Sequence, residues 1–251
     1  MAAWNPTLLL PDDLPQPLVP ERGGYTLTMR ECQGAAEALA ALAADRGSQS
    51  GGPRLHMGWG SFRNLDIVAA RRADAALLLD INVHQFRVWA ALIEALCRPE
   101  ARTPAALVDL LVPLLPHMPP LRQFASSTRQ WLMGDLERPG SWLWADDATG
   151  YEWVRECVRA GCMRTGCLDL RGGAAGAAHW AQLAARLSLA MQDAGVVPDT
   201  LYVSNLPWML GLPRGFFGER HEDHGWAGAM PVLQQVRSHL ACLAPLFNRV
   251  V

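Results

Sequence analysis

No stretch of eighteen or more uninterrupted apolar residues occurs in the chain, and its start, MAAWNPTLLLPDDLPQPLVPERGG, has neither the basic opening nor the long apolar run of a signal peptide. A membrane span and a secretory leader are therefore not expected, and the chain reads as cytoplasmic. Basic residues form no run either. Arg63, Arg71 and Arg72 fall on one helical segment beside Asp66 and Asp74, which reads as a solvated face. With a formal net charge of −2 there is no global pull towards nucleic acid or anionic lipid, and no nucleic-acid footprint is visible. The cysteines lack the Cys-x-x-Cys spacing of a zinc or redox site: Cys157, Cys162 and Cys167 recur every five residues and read as small buried side chains, with reduced thiols expected throughout. A serine-hydrolase elbow is missing, and so is a phosphate-cradling loop with its lysine.

What remains is a chain of 251 residues, half of them apolar and rich in alanine and leucine, enough for a sizeable core with much helix. Residues 1–24 carry five prolines, which suits an extended arm and excludes a helix or a central strand. The rest, 25–251, reads as one α/β domain. A helix is expected across Thr28 to Asp45, ended by Gly47. RLHMG then reads as a strand, FRNLDIVAARRA as an amphipathic helix, AALLLDI as a buried strand and VHQFRVWAALIEALC as a second helix. Prolines break the pattern between residues 98 and 150, which are assigned to short helices forming an insertion or cap. The rhythm resumes with a helix at YEWVRECVRA, a strand at MRTGCLDL, a long helix at AAHWAQLAARLSLAMQDA and a strand at TLYVSN. A helix near Met230 to Leu243 and a last strand in LFNRVV complete it. Strands separated by helices of this length imply a mainly parallel sheet covered on both faces, a Rossmann-like three-layer sandwich.

In such a sheet ligands sit beyond the carboxyl ends of the strands, so the residues just after each strand matter most. Gly58 and Gly60 allow a backbone to come close to a ligand, and Ser61 falls where a helix begins. Asp80 lies twenty residues beyond Gly60, at the end of the second strand, where a carboxylate can accept from both hydroxyls of a ribose, with Asn82 close behind. Asp169 ends the third strand and can accept from an adenine amino group; Ser204 and Asn205 end the fourth. A dinucleotide fingerprint wants a third glycine where this chain has Arg63, which counts against a nicotinamide or flavin cofactor. Taken singly, the Gly-x-Gly is as readily a tight turn, and either acid a helix cap or a solvated loop residue.

As an ordered set, HMGWGS, LLLDIN, GCLDLRG and LYVSN resemble the strand-end motifs of the class I S-adenosylmethionine-dependent methyltransferases. The chain is more closely similar to a bacterial group within that fold, in which a GG-Y segment (Gly23-Gly24-Tyr25) precedes the core, the glycine loop runs on through Gly58 to Asn64, and YVSN (Tyr202 to Asn205) follows the fourth strand. The resemblance covers roughly residues 22–212. It implies S-adenosyl-L-methionine as cofactor, Gly58, Gly60, Ser61, Asp80 and Asn82 as cofactor contacts, Asp169 as an adenine contact, and Ser204 and Asn205 at the methyl-transfer site. The acceptor would be a small molecule or an acceptor not identified by sequence; if it must lose a proton, His84, Asn205 or His221 could help. The family's sheet has seven strands where this chain reaches a fifth, so a sheet truncated at the C-terminus is expected. The Asn-Pro-Pro-aromatic motif of amino-methylating members is replaced by Ser204-Asn205-Leu206-Pro207-Trp208. The alternative reading is a non-catalytic Rossmann-like protein for cofactor sensing or partner binding, with a dehydrogenase third.

Glu219 to His224 places two histidines and three acids within six residues, but in a Gly-rich loop rather than on a helix that would fix metal ligands. It reads as the rim of the site, and no metal site is assigned. Trp131, Trp142 and Trp144 in the insertion either line a substrate pocket or anchor the cap.

Overall fold

The computed structural model describes residues 35–48, 51–60, 62–80, 83–115, 124–168, 177–203 and 226–251. The expected N-terminal arm, Ser61, Asn82, Asp169, Ser204, Asn205 and the loop from Glu219 to His224 lie outside these residues. Among them five strands form one parallel sheet: β1 (Arg54–Trp59), β2 (Ala75–Asp80), β3 (Met163–Cys167), β4 (Val197–Tyr202) and β5 (Arg249–Val250), in the order β3-β2-β1-β4-β5. Eight helices connect and cover them: α1 (Ala35–Ala44), α2 (Arg63–Arg71), α3 (Val83–Cys97), α4 (Pro104–Leu111), α5 (Phe124–Leu136), α6 (Thr149–Arg159), α7 (Ala177–Asp193) and α8 (Trp226–Leu243). The α/β alternation expected from sequence is thus the architecture, a Rossmann-like three-layer arrangement.

Side-chain alternation explains the two cores. Leu55, Met57 and Trp59 of β1 and Ala75, Leu77 and Leu79 of β2 point to one face, where they meet Trp180, Leu183 and Leu187 of α7 and Val236 and Leu243 of α8. Ala76 and Leu78 point to the other, against Leu65 and Val68 of α2, Trp89 and Leu92 of α3, and Tyr151 and Val154 of α6. Strands buried on both faces read as continuous apolar runs, which is why AALLL was legible as a strand. A smaller cluster packs Leu39 and Leu42 of α1 on Ile67 and Ala70 of α2 and on Tyr202 of β4.

The segment between α3 and α6 holds α4, α5 and a 3₁₀ turn, Val112–Leu114. Thr103 caps α4 by accepting from the Ala106 N–H at 3.2 Å, and Pro104 occupies the first helical position, where no N–H is needed. Leu107, Val108 and Leu111 of α4 and Leu132 and Leu136 of α5 join the core under α3, and Trp142 is fully buried there. Of the two roles open to Trp142, it takes the anchoring one: its ring stacks on Tyr151 and meets Phe62 edge-on, both at 6.1 Å between centroids. Cys157, Cys162 and Cys167 are all buried, the first two flanking the turn between α6 and β3.

The solvated face expected for α2 is a correction. All nine residues of this helix are buried, Arg63, Asp66 and Arg71 included. Charge alternation along a helix marks a solvated face only if nothing covers it, and α2 is covered by α1 on one side and α6 on the other. Its charges survive burial because each is paired. Arg71 donates to both carboxylate oxygens of Asp199 on β4, from Nε and Nη2 at 2.7 Å each, with both side chains wholly inaccessible; its Nη1 donates to the Leu42 carbonyl at the end of α1. Arg249 extends the chain, reaching Asp199 at 3.4 Å and also pairing with Asp45. Asp66 accepts from Arg63 at 3.2 Å, from Arg138 at 3.0 Å and from the Trp142 N–H at 2.9 Å, which fastens the far end of the insertion to α2.

Breaking a buried ion pair costs far more than replacing it, because one charge is left desolvated and alone. Asp199→Asn is expected to lower unfolding stability by about 3–5 kcal/mol. The double variant Arg71→Met, Asp199→Leu is expected to recover most of that loss. Urea unfolding of the two variants beside the wild type measures both.

Candidate functional site

In this strand order the chain leaves β1 towards β2 on one side, while β4 joins β1 from the other, so the order reverses between β1 and β4. The crevice at that reversal, outside the carboxyl ends, is where parallel α/β sheets bind ligands. Three of the residues expected there are described, and all three lie on this edge: Gly58 in the last turn of β1, Gly60 directly after it, and Asp80 at the end of β2.

Gly60 makes the turn. Its φ of +79° is a left-handed conformation that residues with a Cβ rarely adopt. Its N–H donates to the Leu79 carbonyl at 3.1 Å, which sets the turn level with Asp80. On the other side of Asp80, its carbonyl accepts from the Leu168 N–H at 3.2 Å. Asp80 therefore stands between the glycine turn and Leu168, the residue that follows β3. Asp80 is half-buried.

Gly58 has a reason of its own within the protein. A Cβ there would run into the Asn64 Oδ1 and come within 2.9 Å of the Tyr202 Cβ. The space is needed by the Asn64 side chain, which is fully buried in the first turn of α2 and turns back beneath the glycine loop. Asn64 Nδ2 donates to the Trp59 carbonyl at 3.1 Å, and its Oδ1 lies 2.9 Å from His56 Nε2. His56 Nδ1 in turn lies 2.8 Å from the Thr200 hydroxyl on β4, its neighbour in the sheet register. The roles in this chain are fixed from one end. The Asn64 amide nitrogen is used on Trp59, so its oxygen accepts, so His56 carries its proton on Nε2, and Nδ1 accepts from Thr200. This order holds for a neutral imidazole, which burial favours. Desolvation, outweighing the Asn64 hydrogen bond and the Asp199 charge, lowers His56 from 6.5 to about 4.

Trp59 holds the loop from the opposite face of the sheet. Its indole N–H crosses β2 and donates to the Leu168 carbonyl at 3.0 Å. Sequence reading passed over Trp59, His56, Asn64 and Thr200. The available signal was a polar residue, His56, in the middle of an otherwise apolar strand and out of phase with Leu55 and Met57; its partners eight and 144 residues away carry no such mark. His84, expected as a proton acceptor, opens α3 just beyond Asp80, and burial together with Arg87 lowers its pKa. Among the described residues no group of three or more His, Cys, Asp or Glu side chains gathers as a metal site, and no helix is long and apolar enough to cross a membrane.

Two outcomes follow from the buried chain. Gly58→Ala should cost about 2–4 kcal/mol in chemical unfolding, since the neighbours are a hydrogen-bonded amide and a backbone-bound Cβ that have nowhere to move. Stability should also fall with acid in a defined window. The unfolded chain takes up a proton on His56 near 6.5 and the folded chain only near 4, so this contribution is complete above 6.5, drains away as the pH drops towards 4, and amounts to about 3 kcal/mol. The difference in unfolding free energy between wild type and His56→Gln, measured from pH 7.5 to 4, should shrink by that amount.

Comparison with known proteins adds no relative to this geometry: no family model and no curated protein matches the chain.

Proposed function

We propose that the chain is an S-adenosylmethionine-dependent methyltransferase-like protein acting on a small molecule or another methyl acceptor. One observation carries the reading: a left-handed glycine turn at Gly60, hydrogen-bonded to Leu79, beside Asp80 at the point where a β3-β2-β1-β4-β5 sheet reverses. A turn without a Cβ at that position leaves room for a ligand against the backbone, and an acid at the end of the next strand suits a ribose diol. Arg63 stands where a dinucleotide-binding loop has its third glycine, and its side chain is committed to Asp66, which weighs against a nicotinamide cofactor.

In this reading Gly60 and Asp80 hold the adenosyl group, helped by Gly58, Ser61, Asn82 and Asp169, and Ser204 and Asn205 face the acceptor. S-adenosylmethionine, when bound, supplies a methyl group already activated on a sulfonium. The protein's own task is alignment: it orients the acceptor in line with the methyl carbon and keeps water out. A strong acid-base pair is not required. His84, whose charged form is disfavoured by burial and by Arg87, is a candidate to take a proton from an acceptor that must lose one. A cytoplasmic location belongs to the same proposal.

Calorimetric titration with S-adenosylmethionine, S-adenosylhomocysteine and NAD, on wild type and Asp80→Ala, tests it. Binding of both adenosyl ligands, weakened at least about tenfold in Asp80→Ala, is the expected result. If neither adenosyl ligand binds wild type, the cofactor assignment fails and a partner-binding scaffold takes its place.

A further inference from the structure

We propose that Thr200, His56 and Asn64 are positioning residues: a one-directional hydrogen-bond relay, buried under the sheet edge, that holds the Trp59-Gly60 turn in its ligand-accepting shape and ties that shape to β4. The ligand-accepting part of this statement rests on the adenosyl reading above; the mechanical part does not.

The geometry is specific. The relay begins on β4 at the Thr200 hydroxyl, passes through the imidazole on β1, enters α2 at Asn64 and ends on the backbone carbonyl of Trp59. It thus joins the three elements that meet at the reversal point and terminates on the peptide unit that precedes Gly60. Thr200, His56 and Asn64 are each wholly inaccessible to solvent, so water cannot substitute for a lost member. Gly60 is drawn to β2 by its own N–H, and the carbonyl just before it is drawn the opposite way, down to α2, by Asn64. A left-handed turn needs such two-sided restraint, because its backbone has no steric preference of its own. The relay also gives Gly58 its purpose, since a side chain there would displace Asn64 and cut the last link.

The relay explains a pairing that packing alone does not. Buried histidine, asparagine and threonine on the α2 side of the sheet would be replaceable by apolar residues of like volume if they served only to fill space. With the imidazole neutral, their donors and acceptors match in one order, and that order points at the loop.

The test is amide hydrogen exchange at Gly60, followed by NMR on the full chain without ligand. Asn64→Asp keeps the acceptor for His56 and removes the donor to Trp59; Thr200→Val removes the first donor; Thr200→Ser restores it. Exchange at Gly60 should quicken about tenfold or more in Asn64→Asp and Thr200→Val, while the amides of Leu77 and Leu78 in β2 keep their wild-type protection, and Thr200→Ser should return Gly60 to wild-type protection. A merely structural role would quicken all slow amides together through global unfolding; that pattern, or unchanged exchange at Gly60 in the folded variants, overturns the proposal. If Asn64→Asp does not fold, the Thr200 pair decides by the same criterion. A parallel titration with S-adenosylhomocysteine should show binding weakened about tenfold in Thr200→Val and regained in Thr200→Ser. Failure of the wild type to bind that ligand refutes the adenosyl reading, whereas the relay is judged by exchange at Gly60 alone.

Discussion

A helix buried along its whole length must satisfy its polar side chains inside the protein, and α2 is such a helix. It resolves the constraint by pairing Arg63 with Asp66 and by turning Asn64, Asp66 and Arg71 into ties to different neighbours. Asn64 reaches β1 and the glycine loop, Asp66 reaches the insertion through Arg138 and Trp142, and Arg71 reaches β4 through Asp199 and α1 through Leu42. The apolar residues between them, Leu65, Ile67 and Val68, then need only fill space. Remove α2's partners and the same sequence is an ordinary charged surface helix.

This arrangement ties the Trp59-Gly60 turn to its neighbours on three sides. The glycine turn is held from one face by Asn64, from the other by the Trp59 indole on Leu168, and sideways by the Gly60 N–H on Leu79. Each restraint is a hydrogen bond in a water-poor setting, where a broken bond is costly and a made one is sharply directional. A site meant to align two reactants gains from such preorganisation, since misplacement of a fraction of an ångström is not averaged away by motion. The described part of the insertion packs α4 on α3 and is anchored in the core at Trp142.

Much of the fold was legible in the sequence. Runs such as AALLLD and VHQFRVWAALIEALC coincide with β2 and α3 because periodicity follows directly from which faces are buried. The positions of Gly60 and Asp80 were legible for a related reason: a glycine after a strand and an acid after the next strand are local signals with local causes. The structure brings both to one edge. Gly58 carries a second constraint that sequence does not reveal: a Cβ there would meet Asn64 and Tyr202 inside the protein. Arg63, Asp66 and Arg71 were read as solvated, because sequence gives their charges but not the helices α1 and α6 that cover them.

The sequence by itself determined the alternation of strands and helices, the glycine turn and the acid that follows it, since each is set by side-chain periodicity or by backbone freedom within a few residues. Tertiary structure alone decided which strands are neighbours, and therefore which polar groups meet. His56 and Thr200 are 144 residues apart and become partners only because β1 and β4 pair in one register; Arg71 and Asp199, 128 residues apart, meet only once α2 has packed on the sheet. The free energy of such pairs comes from excluding water around both members at once, and that exclusion exists nowhere in the chain until the sheet and its covering helices have closed.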